Sequence, residues 1–172
     1  MAQQMPVVRQ FDWSAAIVQL VVIAILVVIA RLLLPQIDFG FCLIIGAGIY
    51  LVYCRLTRAF VARDHIAGMK AYRAQKFDEA VRHFDASYRF FTDHQWIDKW
   101  RFLVLGTGSP NSYRAIALCN SAFCHGQLGQ RSEAIETYRR ALQEFPDCLL
   151  ARVSLKMLEP AQPSASAVDT RK

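Results

Sequence analysis

Cysteine, histidine and acidic residues are all scarce in this chain, and each shortage removes a class of chemistry. The five cysteines are scattered and odd in number over 172 residues, which excludes a disulfide-stapled secreted scaffold. Cys119 and Cys124 stand five apart on one helix and not as Cys-x-x-Cys, so they read as small packed apolar groups. The four histidines, His65, His83, His94 and His125, show no HExxH or similar ligand spacing, and no metal site is expected. Gly106-x-Gly108 lacks the strand, the third glycine and the lysine of a phosphate-binding loop, and marks a loop only. No GxSxG or serine–lysine nucleophile motif is present either. Catalysis and cofactor binding are therefore not expected. Basic residues outnumber acidic ones by 20 to 14, yet no basic run with interleaved aromatics occurs, so nucleic acid is not an expected partner.

What the chain has in abundance is apolar sequence. Hydrophobic residues make up 54% and the mean hydropathy is +0.21, far too apolar for a wholly disordered chain. The distribution is uneven. Nearly all the long apolar runs lie within residues 13–56, while 61–159 read as ordinary amphipathic protein. The length suits one small domain plus a membrane anchor.

From residue 15 to residue 30 there is no charge, and Gln19 is the only polar side chain. Leu32, Leu33 and Leu34 extend the run to Pro35, giving about 20 residues at 1.5 Å each for a hydrocarbon core of roughly 30 Å. Trp13 suits the headgroup region at one end, and Arg31 can snorkel to the interface at the other. The apolar core is longer than that of a signal peptide and no small-x-small cleavage site follows, so this segment reads as an anchor. A second uncharged run covers 39–54 between Asp38 and Arg55, with Tyr50 and Tyr53 expected in an interfacial belt. Its length also admits a re-entrant or interfacial segment. The connector Pro35-Gln36-Ile37-Asp38 is tight and predicts an antiparallel hairpin, with Gly46 and Gly48 permitting close approach but no GxxxG dimerisation spacing. Arg55, Arg58, Arg63, Lys70 and Arg73 follow the second run, with Asp64 the only nearby acid. The positive-inside rule then puts both termini in the cytoplasm, where free thiols are also at home. A short hairpin with basic flanks suits a bacterial inner membrane better than an organelle membrane, and arginines beside the span can contact anionic headgroups.

Residues 61–148 repeat themselves. Gly68-x-x-Ala71-Tyr72 followed by Phe77-Asp78-Glu79-Ala80-Val81-x-x-Phe84 is answered by Asn120-Ser121-Ala122, then Gly129-x-x-Ser132-Glu133-Ala134-Ile135-x-x-Tyr138-x-x-Ala141-Leu142 and Phe145-Pro146. Small residues in one helix and a small–aromatic pair at i and i+4 in the next allow two helices to pack closely. Gly129 fits the C′ position of a helix, where positive φ costs little, and Pro146 stops the following one. On these residues the chain resembles the tetratricopeptide repeat (TPR) family, whose unit is a 34-residue helix–turn–helix. The second unit, about 115–148, carries Asn120, Ala122, Gly129, Ala134, Tyr138, Ala141 and Pro146 at the family's offsets. The first, about 61–93, keeps Gly68, Ala80 and Phe84, has Ser87 where alanine is usual, and lacks the terminal proline. Ala80 and Ala134 are 54 positions apart, so an insertion separates the units.

That insertion, 92–111, predicts a short helix capped by Thr92 or Asp93 and carrying Trp96, Ile97, Trp100, Leu103 and Val104 on one stripe. The two tryptophans read first as a cover for the solenoid's core, with a membrane contact or a ligand-facing patch as alternatives. Ser109 and Pro110 are expected as N-cap and N1 of the next helix. Asp147 is expected to cap a last helix, 147–158, that closes the solenoid through Leu149, Leu150, Val153 and Met157. Residues 160–172 are Pro-, Ala- and Ser-rich and read as a disordered tail.

The expected organisation is all-α: an N-terminal segment 1–12, a transmembrane helical hairpin 13–58, and a TPR-like domain 59–159 of two repeats, an inserted helix and a capping helix. The resemblance implies a protein-binding scaffold whose concave face is made by first helices. Here that face would comprise His65, Met69, Tyr72, Arg73, Ile116, Cys119 and Phe123. It lacks the Lys and Asn set by which some members clamp a C-terminal carboxylate. The expected partners are the bilayer and another protein or membrane complex. A self-associating structural protein, forming homo-oligomers, is the alternative.

Overall fold

The computed structural model describes residues 13–109 and 111–159, with side chains from residue 16 onward. The segments 1–12 and 160–172, the predicted N1 residue Pro110 and the side chain of Trp13 lie outside the described residues. Among those described, all regular structure is helical: α1 (Trp13–Leu33), α2 (Phe39–Val61), α3 (Arg63–Arg73), α4 (Phe77–Asp93), α5 (Gln95–Lys99), α6 (Arg101–Val104), α7 (Tyr113–Gln127), α8 (Arg131–Glu144) and α9 (Leu149–Leu158).

Two helices, α1 and α2, are long and apolar enough to cross a membrane. They pack as an antiparallel hairpin. Val27 and Ala30 of α1 and Cys42 of α2 are buried together, with Ile23, Ile37 and Ile45 against them. Gly46 is the closest approach: a Cβ there would stand 2.8 Å from the Val27 side chain, whereas Gly48 faces open space. Asp38 caps α2, its carboxylate accepting from the Gly40 N–H at 2.8 Å. The second apolar run is longer as a helix than as a charge-free stretch, because Arg55 and Arg58 do not interrupt helical hydrogen bonding; α2 has 23 residues. The boundary expected at 58/59 consequently falls inside α2. Only Ala62 separates α2 from α3, and it is 1% exposed, in a cluster with Phe91, Ile97 and Leu105.

Helices α3 and α4 form one pair, α7 and α8 a second, and α4 lies against α7. The turns of the two pairs are alike at an offset of 54 residues. Ala74 N–H bonds to Lys70 O and Lys76 N–H to Ala71 O; Leu128 N–H bonds to Cys124 O and Gln130 N–H to His125 O. Lys76 and Gln130 hold nearly the same dihedrals, φ −90°, ψ 71° and φ −83°, ψ 71°. Between them Gly129 has φ +77°, as its C′ position requires, and its counterpart Gln75 has φ +59°. An L-residue in the left-handed region costs about 1–2 kcal/mol, partly offset by the lower unfolded-state entropy of a non-glycine residue. Gln75→Gly is therefore expected to raise stability by about 0.5–1 kcal/mol, read as a higher thermal midpoint in detergent.

Packing within the pairs follows the small–aromatic pattern. Phe84 is fully buried against Gly68, Ala71 and Ala80, and Tyr138 is buried among Ala122, Ala141, Cys119 and Ala151. Three sequence expectations are corrected at the helix ends. The insertion breaks into α5 and α6 at Trp100, and His94, not Thr92 or Asp93, occupies the position before α5, because α4 runs on to Asp93. The N-cap of α7 is Ser112, whose hydroxyl accepts from Ala115 N–H at 3.0 Å, in place of Ser109. The residue before α9 is Cys148, not Asp147.

Candidate functional site

Helices α3 and α7 lie side by side and run parallel. His65 meets Tyr113 at 5.1 Å between ring centroids, Met69 meets Asn120, and Tyr72 meets Phe123 at 5.7 Å, edge to face. Tyr72 also lies 6.2 Å from Phe77 of α4. His65, Met69, Tyr72, Ile116 and Phe123 are half-buried and Arg73 is exposed, so six of the seven predicted face residues reach the surface.

Cys119 alone of the seven belongs to the interior. Cys119 is 1% exposed and its sulfur lies 3.7 Å from that of Cys148. The Cys148 thiol is drawn down by its hydrogen bond with Cys119 and by the N–H groups at the start of α9, while Cys119 is pushed up by that same bond and by burial. His65 is enclosed by Phe84 and Tyr113, with Nδ1 3.5 Å from the Ser87 hydroxyl, and burial lowers its pKa to about 4. Helical periodicity places Cys119 on the first-helix face, but α9 covers it.

At the junction with the hairpin, three of the predicted interface residues take unexpected roles. Arg58 donates from Nη2 to the carbonyls of Leu105 and Gly106 at 3.0 and 3.1 Å. Tyr50 is buried beneath Gly106, not set in an exposed belt, while Tyr53 and Arg55 remain exposed. Arg31 bonds back to the Pro35 carbonyl. Gly106 has φ +58°, and a Cβ there would stand 2.5 Å from the Cys54 sulfur. Helix α6 packs on α1, and the amide of Gln19 donates to the Phe102 carbonyl at 3.4 Å.

The reading of the tryptophans as a core cover is corrected. Trp96 and Trp100 are 60% and 49% exposed, and Ile97 and Leu105 fill the core in their place. A single helix would have put Trp96, Trp100, Leu103 and Val104 on one side, but the break at Trp100 turns α6 relative to α5. The last helix also packs by another face than expected. Ala151, Ser154, Leu155 and Leu158 contact the core, leaving Leu149, Leu150, Val153 and Met157 exposed, because small Ala151 and Ser154 allow the backbone of α9 to approach.

Two polar clusters had no sequence signal. Glu144 accepts from Tyr88 Oη and Arg114 Nη2, both at 2.6 Å, and from Arg140 Nε at 3.3 Å; Arg114 also reaches the Thr92 hydroxyl. This ties α4, α7 and α8 together. Asp98 is 5% exposed and accepts from Tyr113 N–H at 2.7 Å, so the insertion supplies a carboxylate to the N-terminus of α7. Apart from the Arg140–Glu144 pair at i, i+4, these partners stand 15 to 56 residues apart and share no period a helix pattern would reveal. Among the described residues no group of three or more His, Cys, Asp or Glu is placed to hold a metal ion. Compared with family models, curated proteins and solved structures, the chain gave no match in any of the three.

Proposed function

We propose that this chain is a membrane-anchored helical adaptor: α1 and α2 span a bilayer and hold a TPR-like pair of repeats at its cytoplasmic surface, where another protein or membrane complex docks. The observation that carries the reading is the duplicated helix pair, whose turns share hydrogen bonds and dihedrals 54 residues apart, including the left-handed residue at Gln75 and Gly129. That agreement supports the TPR resemblance. Membrane insertion is supported by what the hairpin leaves uncovered. Only 11% of the Ala16–Leu33 window and 17% of Phe39–Val61 is buried, with Ile17, Leu20, Ile25, Leu43, Ile44 and Leu51 exposed. Such a surface needs lipid and not water around it. The basic residues after α2 favour a cytoplasmic location for both termini, and the bacterial inner membrane is the favoured membrane. No catalytic role is proposed.

The docking face is the exposed side of α3 and α7, at Met69, Tyr72, Arg73, Ile116 and Phe123. Full-length protein, Phe123→Asp and Arg73→Glu are compared by affinity capture from detergent-solubilised membranes. Both variants are expected to stay in the membrane fraction and to lose the captured partner about tenfold, the equivalent of 1.4 kcal/mol. Unchanged capture by both, with unaltered thermal midpoints, overturns the assignment of this face. A second reading, self-association, is favoured by the exposed stripe Leu149, Leu150, Val153 and Met157 on α9. It gains the lead if full-length protein captures only copies of itself and Val153→Glu reduces it to a monomer.

A further inference from the structure

The insertion supplies a membrane contact distinct from the two spans. We infer that α5 and α6 lie in the headgroup–acyl boundary of the bilayer, with the indoles of Trp96 and Trp100 inserted there, so that the repeats are held against the membrane in a fixed orientation and do not hang from a tether. The inference rests on the reading that α1 and α2 span.

Depth along the hairpin places the segment. Gln19 stands 14 residues from Leu33 at the far end of α1, about 21 Å at 1.5 Å per residue. Arg58 stands 19 residues from Phe39, about 28 Å along α2. The hydrocarbon core is about 30 Å thick. The bonds from Gln19 to Phe102 and from Arg58 to Leu105 and Gly106 therefore hold α6 and the residues after it between the near edge of that core and about 9 Å inside it. Gly106 has no side chain at this point, and the backbone closes onto Cys54.

Direction follows from burial. In α5, Ile97 and Asp98 turn inward, to the cluster around Phe91 and to the start of α7. Trp96 and Trp100, one turn apart, are left facing out. The Trp100 ring lies 6.0 Å from that of Phe102, whose own carbonyl is held by Gln19 of α1. A large amphipathic ring exposed at this depth matches the interfacial belt, where the indole rests among acyl carbons and its N–H meets polar headgroups. Lys99, next to Trp100 in the chain, and Arg55, next to Cys54 on α2, are both exposed and add positive charge, which suits an anionic leaflet.

Tryptophan fluorescence tests this in full-length protein reconstituted into vesicles of phosphatidylcholine and phosphatidylglycerol. The chain has three tryptophans, and Trp13→Phe leaves Trp96 and Trp100 as the reporters. Lipids brominated near the headgroup end of the acyl chain are expected to quench that emission about twofold, and lipids brominated near the terminal methyl much less, as for an interfacial indole. Emission insensitive to both lipids but open to aqueous iodide overturns the inference. A second protein, with all three tryptophans replaced by Phe and Ile25→Trp added at mid-span, checks the anchor separately. If its emission is quenched by the deep bromine while Trp96 and Trp100 report water, the interfacial contact fails and the spans stand. If the mid-span probe is also unquenched, the membrane reading itself fails.

Discussion

Phe84→Ala is expected to destabilise the repeat unit by about 3–5 kcal/mol, the range for deleting a fully buried aromatic ring. Phe84 has no exposed surface and joins α3, α4 and α7 in one cluster with Ala71, Ala80 and Cys124. The backbone of α3 at Gly68 lies directly on its ring: a Cβ at that position would stand 2.8 Å from two ring carbons. Gly68→Ala is accordingly expected to lose about 1–3 kcal/mol through overpacking, outweighing the gain of up to about 1 kcal/mol in helix propensity. The two effects share one cause and so are not additive. Combining Gly68→Ala with Phe84→Leu should recover part of the loss, with a coupling of about 0.5–3 kcal/mol. Thermal or denaturant unfolding in a mild detergent measures wild type, Phe84→Ala and the cycle of Gly68→Ala, Phe84→Leu and their combination. Simple additivity would show that Gly68 and Phe84 do not share a contact.

Acidification from pH 7 to pH 4 is expected to weaken the same unit through His65. Burial lowers the pKa of this ring to about 4, against an ordinary value of 6.5. Both states are neutral there above pH 6.5, so the histidine does not influence stability in that range. As the pH falls below 6.5 the unfolded chain binds a proton that the enclosed ring does not accept until about pH 4. Stability is therefore lost across that window and levels off below it. At 1.36 kcal/mol per unit the full effect is on the order of 3 kcal/mol. His65→Gln keeps a polar group near Ser87 but does not titrate. From pH 6.5 to pH 4 the thermal midpoint of wild type should fall further than that of this variant. Parallel pH profiles for the two proteins would show that His65 is not the responsible group.

Much of this architecture is legible in the chain because it rests on local regularities. An uncharged run of about 20 residues can satisfy its backbone in lipid only as a helix. A small–small–aromatic pattern at helical spacing likewise specifies close helix pairs, and the positions Gly68, Ala80, Phe84, Ala122, Ala134, Tyr138 and Ala141 are all interior or in close contact. Gly129 marks a left-handed turn by residue type. Gln75 makes the same turn without that sign, because the hydrogen bonds on either side of it over-determine the conformation.

The surfaces were less legible. Period alone places Cys119 on a first-helix face, but whether that face meets solvent depends on what packs over it, and α9 arrives from elsewhere in the sequence. For α9 the conspicuous apolar residues suggested the inner side, whereas small Ala151 and Ser154 allowed the closer approach and left Leu149, Leu150, Val153 and Met157 outside.

Helix type, the two apolar helices, the repeat and its turn are properties of segments shorter than about 40 residues, and composition and periodicity suffice to specify them. The docking of Gly106 on Cys54, the bond from Gln19 to Phe102, the bonds from Tyr88 and Arg114 to Glu144 and the Asp98 contact with α7 join residues 15 to 83 positions apart. No pattern along the chain encodes such a meeting. It exists only once the hairpin and the two helix pairs have closed on one another, because burial and hydrogen bonding then select which of several locally equivalent faces turns inward.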